Sequence, residues 1–217
     1  MIKLRQLIEA ARLLRAGTEL GDGAVLKADA LGARASRDAE AKLERVRGYL
    51  PPIDLDALAR LPKGSFGHEY ARFMREKGLS PFRVSSRIDA EMLRRNVFAV
   101  RYAVTHDIVH VLLGFNTRYP GEMGVIAFAA AQGYSFASKV GLVLATVLYP
   151  LLSLREAGET FRALRRGYRL GKAARFVLGV RFEERWAEPL TAVRRDLGLP
   201  ERIRASDPAV DPVLVPS

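Results

Sequence analysis

The sequence predicts an all-α fold in which a single helical bundle takes up residues 1–217. Alanine, leucine and arginine dominate the composition, and these residues favour helices. Apolar residues recur at helical spacing in most segments, whereas no alternating apolar pattern persists long enough for a β-sheet. With 217 residues the chain is long enough to bury one sizeable core, and no long linker divides it into two halves.

Helix-breaking residues divide the first half of the chain into segments. The first segment, residues 4–20, carries Leu4, Leu7 and Ile8 on one helical face. Glycine and alanine dominate residues 21–35, which we expect to form a loose connection. Proline and glycine turns then separate the next predicted helices, which cover residues 38–49, residues 55–61, a stretch from near residue 68, and residues 89–113.

The second half of the chain contains a nearly uncharged stretch, residues 124–152, in which Lys139 is the only full charge. Polar residues around Gln132 interrupt it, so no run reaches the roughly 20 apolar residues that a membrane-spanning helix needs. The stretch therefore predicts two packed core helices, with a groove between them for an apolar ligand. Residues 155–197 are basic and have a helical pattern, and residues 205–217 form a tail.

The composition limits the class of protein. The chain has no cysteine, which excludes disulfides, thiolate zinc sites and cysteine nucleophiles and fits the cytoplasm. The first residues lack the continuous apolar core of a signal peptide. A net charge of +11 predicts an anionic partner. Because the basic residues are spread along the chain without interleaved aromatic residues, a membrane surface fits better than a nucleic acid, and we expect no nucleic-acid binding.

Two histidines one helical turn apart carry the clearest chemical signal. His106 and His110 project from the same helix face, so both imidazoles can bind one divalent cation. Asp107 lies within reach of the same ion, or it orients one of the imidazoles. Glu122 follows a turn of glycine and proline that lets the chain fold back and supply another oxygen. These four residues predict a mixed nitrogen and oxygen site that suits zinc, iron, manganese or cobalt.

This motif resembles the signature of the coenzyme Q (ubiquinone) biosynthesis protein 4 family. The resemblance rests on the string His106-Asp107-Ile108-Val109-His110 with Glu122 downstream. It extends roughly over residues 55–199. Flanking segments that match the family pattern are the glycine turn at residues 61–67, the apolar residues 123–132 and the C-terminal residues 166–190.

The resemblance implies an all-helical fold, a divalent metal ion with zinc as the first choice, and a prenylated lipid held in an apolar groove. It also implies a peripheral position on the inner face of a bacterial membrane, among other ubiquinone-biosynthesis proteins. The implied reaction is oxidative decarboxylation at the first ring carbon of a prenylated hydroxybenzoate. The high apolar content additionally leads us to expect a homodimer.

Two alternatives remain open from the sequence. The first is a lipid-binding scaffold that organises ubiquinone-biosynthesis enzymes without turnover, in which the metal is structural. The second is a metal phosphohydrolase of the His-Asp type, which would recruit His68, the His106-Asp107 pair and Asp196. This second pattern leaves His110 and Glu122 unexplained.

Overall fold

The described part of the protein contains ten α-helices and three short 3-10 turns, joined by irregular segments. The computed structural model describes residues 4–16, 20–135, 156–203 and 209–214. Within these ranges there is no β-strand, and the bridges are two isolated pairs, so the predicted all-α fold is confirmed. The helices are α1 (Leu4–Ala16), α2 (Leu20–Leu31), α3 (Arg37–Leu43), α4 (Leu55–Ala59), α5 (Phe66–Glu76), α6 (Ala90–Arg95), α7 (Val97–Leu113), α8 (Tyr119–Ala131), α9 (Ala157–Ala173) and α10 (Leu190–Asp196).

Side-chain caps set the beginnings of four helices. Ser36, Asp54, Ser65 and Asp89 each accept a hydrogen bond from a main-chain N–H in the first turn of the helix that follows. Helices α3 to α6 therefore begin within two residues of the predicted positions. The ends are less regular, because α3 passes into a 3-10 turn, Glu44–Val46, before the predicted end at residue 49.

Helix α2 corrects the prediction of a loose connection over residues 21–35. Val25 is buried in the same small apolar cluster as Ile88. Asp22 accepts a hydrogen bond of 2.7 Å from the main-chain N–H of Ser85 and another from its hydroxyl group. These tertiary contacts outweigh the low helix propensity of the glycines, which was the reason for the wrong prediction.

The predicted single helix over residues 89–113 is two helices, α6 and α7. The break is at Asn96, whose backbone leaves the helical conformation at φ −103° and ψ 35°. The buried side-chain amide of Asn96 donates hydrogen bonds of 2.9 Å to the main-chain oxygen of Met92 and to the carboxylate of Asp29. Asparagine side chains that bond to nearby main-chain groups compete with the helix in this way.

Helix α7 runs through the main hydrophobic core. Its Ile108, Val111 and Leu112 are buried together with Phe73 of α5 and Phe182 of the C-terminal segment. Each buried side chain of this size contributes about 1.5–3 kcal/mol to the free energy of unfolding. The core packing therefore holds the backbone of α7 in place, and with it the side chains that this helix carries.

Glycines allow α8 and α9 to cross at close range. A Cβ atom at Gly167 would lie 2.0 Å from the main-chain oxygen of Gly124, and one at Gly171 would lie 2.6 Å from that of Phe128. Only glycine fits at such a crossing. The contact fixes the position of α8, whose first turn carries Glu122.

The C-terminal third is only partly helical, which corrects the prediction for residues 155–197. After α9 the chain continues without regular structure, and the side chain of Gln132 stabilises this change. Its amide donates to the main-chain oxygens of Gly171 at 2.7 Å and Ala174 at 3.1 Å, and it accepts from the N–H of Val177 at 3.0 Å. Because the main-chain groups find a partner here, the helix can end without unpaired polar atoms.

The apolar stretch at residues 124–152 is described only in its first part. Helix α8 forms the first of the two predicted core helices, while the second helix and its side of the groove lie outside the described residues. Among the described helices, none is long and apolar enough to cross a membrane. Part of the predicted tail is described, and Asp211 within it donates its N–H to the main-chain oxygen of Gly114 at 2.9 Å.

Candidate metal centre

Helices α7 and α8 bring His106, His110 and Glu122 together. The two imidazole rings lie one helical turn apart on α7, with ring centres separated by 5.0 Å. Gly114 ends α7 in the left-handed conformation, at φ 72°, and its N–H donates to the main-chain oxygen of His110 at 2.7 Å. The chain then reverses into α8, so Glu122 lies in the first turn of that helix. The helix dipole also stabilises a carboxylate at this position.

Each carboxylate oxygen of Glu122 faces one imidazole. Oε2 lies 3.2 Å from Nε2 of His106, and Oε1 lies 3.3 Å from Nε2 of His110. One ligand atom from each of the three residues can be chosen so that all lie within 4.8 Å of one another. Two ligand atoms of a tetrahedral ion with bonds of about 2.05 Å lie about 3.3 Å apart. The spacing therefore fits ligands that share one ion.

A main-chain oxygen fixes the orientation of the His110 ring. Nδ1 of His110 lies 3.2 Å from the carbonyl oxygen of Phe115, and since a carbonyl only accepts, Nδ1 carries the proton. The lone pair then belongs to Nε2, which is buried and has no hydrogen bond of acceptable geometry among the described residues. A second hydrogen bond of this kind is typical of histidines that ligate metals. The ring of Phe73 stacks on the imidazole, with ring centres 6.1 Å apart.

The donor set fits a divalent transition metal. Two imidazole nitrogens and a carboxylate suit zinc, iron, manganese or cobalt, whereas closed structural zinc sites usually contain thiolates. Three protein ligands also leave coordination positions for water or a substrate. The buried Nε2 of His110, which has no hydrogen-bond partner in the described part of the chain, is the atom of this site that a cation would satisfy.

The charges of the three ligands are coupled. Burial alone would raise the pKa of Glu122, but the neighbouring imidazoles of His106 and His110 lower it to about 2. Burial lowers the pKa of His106, and the hydrogen bond and negative charge of Glu122, together with the charge of Asp107, outweigh burial and raise it above its ordinary value. Glu122 is therefore an anion throughout the neutral range and attracts a cation to the two imidazoles.

Asp107 lies beside the three-residue group and is not part of it. Burial raises the pKa of its carboxyl group, although both histidines lower it by attraction. Burial also raises the pKa of Tyr70, and the negative charge of Asp107 adds to that effect. The carboxyl group of Asp107 thus interacts electrostatically with both histidines and with Tyr70 of helix α5. Its role as a fourth metal ligand remains a prediction.

A small cavity adjoins His106. Its volume is about 10 Å³, and Tyr102, Val125, Phe128 and Tyr134 form part of its wall. The side chain of Tyr134 is fully buried, and its hydroxyl group has no hydrogen-bond partner among the described residues. This cavity gives the metal-binding motif a mostly apolar neighbour on the side of His106.

The metal-binding motif does not predict two buried arginines that hold α7 in place. Arg101 pairs with Glu183 at 2.7 Å and ties the helix to the C-terminal segment. Arg194 donates to the main-chain oxygens of Val111 at 2.8 Å and Leu112 at 2.9 Å, which are in the last turn of α7. A cation at a helix C-terminus stabilises the unpaired carbonyl groups there. For Arg101, the sequence did contain a signal, since an arginine within an apolar helical pattern indicates a buried charge with a partner.

His68 and Asp196, which a phosphohydrolase would need in addition to the His106-Asp107 pair, lie apart from the centre. His68 bonds through Nδ1 to the main-chain oxygen of Ala59 at 3.2 Å and lines a different cavity. Asp196 pairs with Arg175 and Arg185, each at 2.9 Å. Neither belongs to the group of potential metal ligands found among the described residues. The geometry supports the motif with two histidines and Glu122 instead.

Comparison with known proteins gives a consistent result. Residues 44–202 match the family model described as coenzyme Q (ubiquinone) biosynthesis protein Coq4. The mitochondrial ubiquinone biosynthesis protein COQ4 homologue of Danio rerio is 34% identical over 164 residues, which cover 73% of this chain and 58% of the relative. The homologue of Rattus norvegicus is 35% identical over 158 residues, covering 72% and 58%. The chain therefore spans little more than half the length of these curated relatives.

A solved structure extends the similarity to the fold. The crystal structure of a putative ubiquinone biosynthesis protein from Nostoc punctiforme PCC 73102 is 26% identical in sequence, with a TM-score of 0.63. The match covers 90% of this chain and 95% of that chain. The resemblance predicted from the sequence motifs is confirmed. Because the family model and the relatives each match most of its length, the chain belongs to the Coq4 family of coenzyme Q (ubiquinone) biosynthesis proteins.

Proposed function

We propose that this protein binds one divalent metal ion through His106, His110 and Glu122, with Asp107 as a further ligand. We propose also that the centre acts on the ring of a prenylated hydroxybenzoate in ubiquinone biosynthesis. The observation that carries the metal site is the buried Nε2 of His110, which lies 3.3 Å from Glu122 and has no hydrogen bond of acceptable geometry within the described ranges. The membership of the Coq4 family supports the pathway.

The side chains of the centre have separate tasks in this proposal. When bound, a divalent ion supplies positive charge that holds an ionised head group and leaves exchangeable positions for oxygen or substrate. Glu122 supplies a permanent negative charge, because its pKa is about 2. His110 is locked in one tautomer by Phe115, and His106, at the half-exposed side of the site, faces the small cavity.

The proposed reaction exchanges a ring carboxyl group for a hydroxyl group. The bond between the first ring carbon and the carboxyl carbon breaks, carbon dioxide leaves, and a carbon–oxygen bond forms on the ring. Dioxygen is the oxidant, so that carboxylic acid, dioxygen and water give phenol, carbon dioxide and hydrogen peroxide in a balanced equation. The residues of the centre hold the head group in position for this exchange.

A basic outer face of helix α9 supports a peripheral position on a membrane. Phe161 is 61% exposed and Tyr168 is 47% exposed, and both lie on one face because they are two turns apart. Arg165 and Arg169 are exposed beside them. Each basic residue near an anionic surface contributes about 1 kcal/mol to membrane binding. The proposed location is the cytoplasmic face of a bacterial membrane, where a homodimer would meet prenylated precursors and other proteins of the pathway.

A turnover assay with matched variants tests the proposed activity. The purified protein, loaded in turn with zinc, iron, manganese and cobalt, is given a prenylated hydroxybenzoate and oxygen, and release of carbon dioxide is measured. Glu122→Gln keeps the shape of the side chain but removes its charge, so turnover should be lost while the helical content is retained. Glu76→Gln, an exposed change on α5, should leave turnover as in the wild type.

The same assay separates an enzyme from a scaffold. Turnover that depends on Glu122 supports the catalytic proposal. If no metal form releases carbon dioxide, but the protein still binds the prenylated precursor, the catalytic part is wrong and the scaffold reading replaces it.

A further inference from the structure

A second cavity of about 710 Å³ lies beside another face of helix α5. None of the four proposed metal ligands lines it. Phe66, Tyr70 and Phe73 of α5 face the core. Glu69 and Arg72 of the same helix, and its capping residue Ser65, line this cavity. Helix α10 lies across from them. The volume of the cavity is within the range of about 300–1,000 Å³ that is typical of small-molecule binding sites.

The cavity wall carries an excess of positive charge. Lys63, Arg72 and Arg194 contribute three positive charges, and Glu69 contributes the single negative one. The residues that line the cavity therefore carry a net charge of +2. Lys63 is exposed at the rim, while Arg194 is only 1% exposed. A concave wall of one sign attracts ions of the opposite sign.

The hydrogen bonds of the two arginines leave this charge without a full counter-ion. Among the residues that the structure describes, the guanidinium of Arg194 bonds to main-chain oxygens alone, those of Val111, Leu112 and Glu201, at 2.8 to 3.1 Å. Arg72 shares its terminal nitrogen between Glu69 and the main-chain oxygen of Val213. Nε of Arg72 is buried and has no hydrogen-bond partner in the described part of the chain. The cavity wall therefore has positive charge that the single carboxylate of Glu69 does not balance.

The rest of the wall is apolar or carries hydroxyl groups. Pro62, Pro189, Leu190 and Leu214 supply apolar surface, and Thr191 supplies a hydroxyl group. A bare inorganic ion would leave this apolar surface in contact with water. A ligand that combines an oxyanion with an apolar body would cover the arginines and the apolar wall together.

We propose that this cavity is a second binding site, separate from the metal centre, for a phosphate-type oxyanion attached to an apolar body. Arg72 and Lys63 bind the oxyanion, Arg194 adds buried positive charge, and the leucines and prolines contact the apolar body. Such a ligand is either a free amphipathic phosphate or the head group of a phospholipid. This proposal does not depend on the reaction proposed for the metal centre.

Calorimetric titration with hexyl phosphate, inorganic phosphate and hexanol tests the proposal. Hexyl phosphate should bind the wild-type protein about tenfold more tightly than inorganic phosphate, because only hexyl phosphate also covers apolar surface. Hexanol lacks the charge and should bind more weakly than both. Lys63→Gln/Arg72→Gln should weaken hexyl phosphate binding by about tenfold or more, since charge-assisted hydrogen bonds are lost.

Matched variants keep the result interpretable. Arg75→Gln/Lys172→Gln removes the same two charges from exposed positions outside the cavity and should bind hexyl phosphate as the wild type does. Thr191→Trp fills the cavity without changing its charge and should also abolish binding of hexyl phosphate. Metal content should be unchanged in all these variants, which separates this proposal from that of the metal centre.

Vesicles distinguish the two sources of the ligand. If phosphatidylcholine vesicles with about 20% phosphatidic acid compete with hexyl phosphate for the cavity, a membrane lipid supplies the oxyanion. If they do not compete, while hexyl phosphate still depends on Lys63 and Arg72, a free phosphate ligand does. The proposal is overturned if hexyl phosphate does not bind the wild type, or if Lys63→Gln/Arg72→Gln, folded by circular dichroism, binds it within about twofold of the wild type.

Discussion

The imidazole of His110 donates its Nδ1 proton to the main-chain oxygen of Phe115, 3.2 Å away, on the turn between α7 and α8. The same turn reverses the chain and delivers Glu122 to the other nitrogen of that ring. One short connection therefore sets the tautomer of a proposed ligand and positions its neighbour. Changes that shift either helix at this turn should affect metal binding before they affect the rest of the fold.

Acid should release the metal. Metal binding needs neutral imidazoles, and the negative charge of Glu122 raises the pKa of His106 despite burial. Protons should therefore compete with the metal below this raised pKa, and affinity should be full above it. We expect cobalt affinity, measured by competition with a chelator, to be full in mildly alkaline solution and to fall steadily as the pH drops through the neutral range into the acid range. The same decline should occur in His68→Gln, outside the centre, and affinity that does not change with pH would contradict the assignment.

Arg194 should be worth more to stability than its sequence neighbour Arg195. Arg194→Met leaves two buried carbonyl groups at the end of α7 without their donor, which costs about 1–3 kcal/mol for each buried unpaired group. Arg195→Met removes only an exposed pair with Glu201, which solvent screens, and should leave the unfolding midpoint close to that of the wild type. Urea unfolding of both variants measures the difference. Equal midpoints would show that Arg194 does not cap α7.

The crossing of α8 and α9 should tolerate no added methyl group at Gly167. A Cβ there would lie 2.0 Å from the main-chain oxygen of Gly124, so the helices must separate. We expect Gly167→Ala to lower the free energy of unfolding by about 1–3 kcal/mol and to weaken metal binding, because α8 carries Glu122. Gly158→Ala on the same helix meets only the end of the Arg162 side chain, at 3.7 Å, and should change stability by less than about 1 kcal/mol. Thermal unfolding compares the two, and an unchanged Gly167→Ala would contradict the close crossing.

The exposed ring of Phe161 should contribute to membrane binding. Phe161→Ser removes an apolar group from the basic face of α9, and binding to vesicles with about 30% anionic phospholipid should weaken by about tenfold. Leu31→Ser, which removes a side chain that is 51% exposed on α2, is the matched control and should bind as the wild type does. Sedimentation with vesicles measures both. If Leu31→Ser weakens binding as much as Phe161→Ser does, α9 is not the membrane-facing surface.

The sequence predicted the features that depend on local spacing. His106 and His110 fall on one face because helical periodicity alone decides it, and Glu122 follows a turn that glycine and proline mark. Helix α2 was not predicted, because its glycines are tolerated only through contacts such as that of Asp22 with Ser85.

Features that arise from tertiary contacts could not be predicted from the sequence. The break at Asn96 depends on a partner, Asp29, far away along the chain. The hydrogen bond from the His110 ring goes to a main-chain oxygen, that of Phe115, and residue identities do not reveal such a partner. The buried charge of Arg194 is likewise visible only once α10 is placed against the end of α7.

The metal content of the purified protein tests the central claim most directly. Elemental analysis of the wild type and of a His106→Ala/His110→Ala variant, with circular dichroism to check the helical content of both, should give about one divalent metal ion per chain in the wild type. The variant should retain its helices and contain almost no metal, because loss of even one supporting group typically costs about 10–100-fold in affinity. A wild-type protein that holds no metal after reconstitution with zinc, iron, manganese or cobalt would contradict the account.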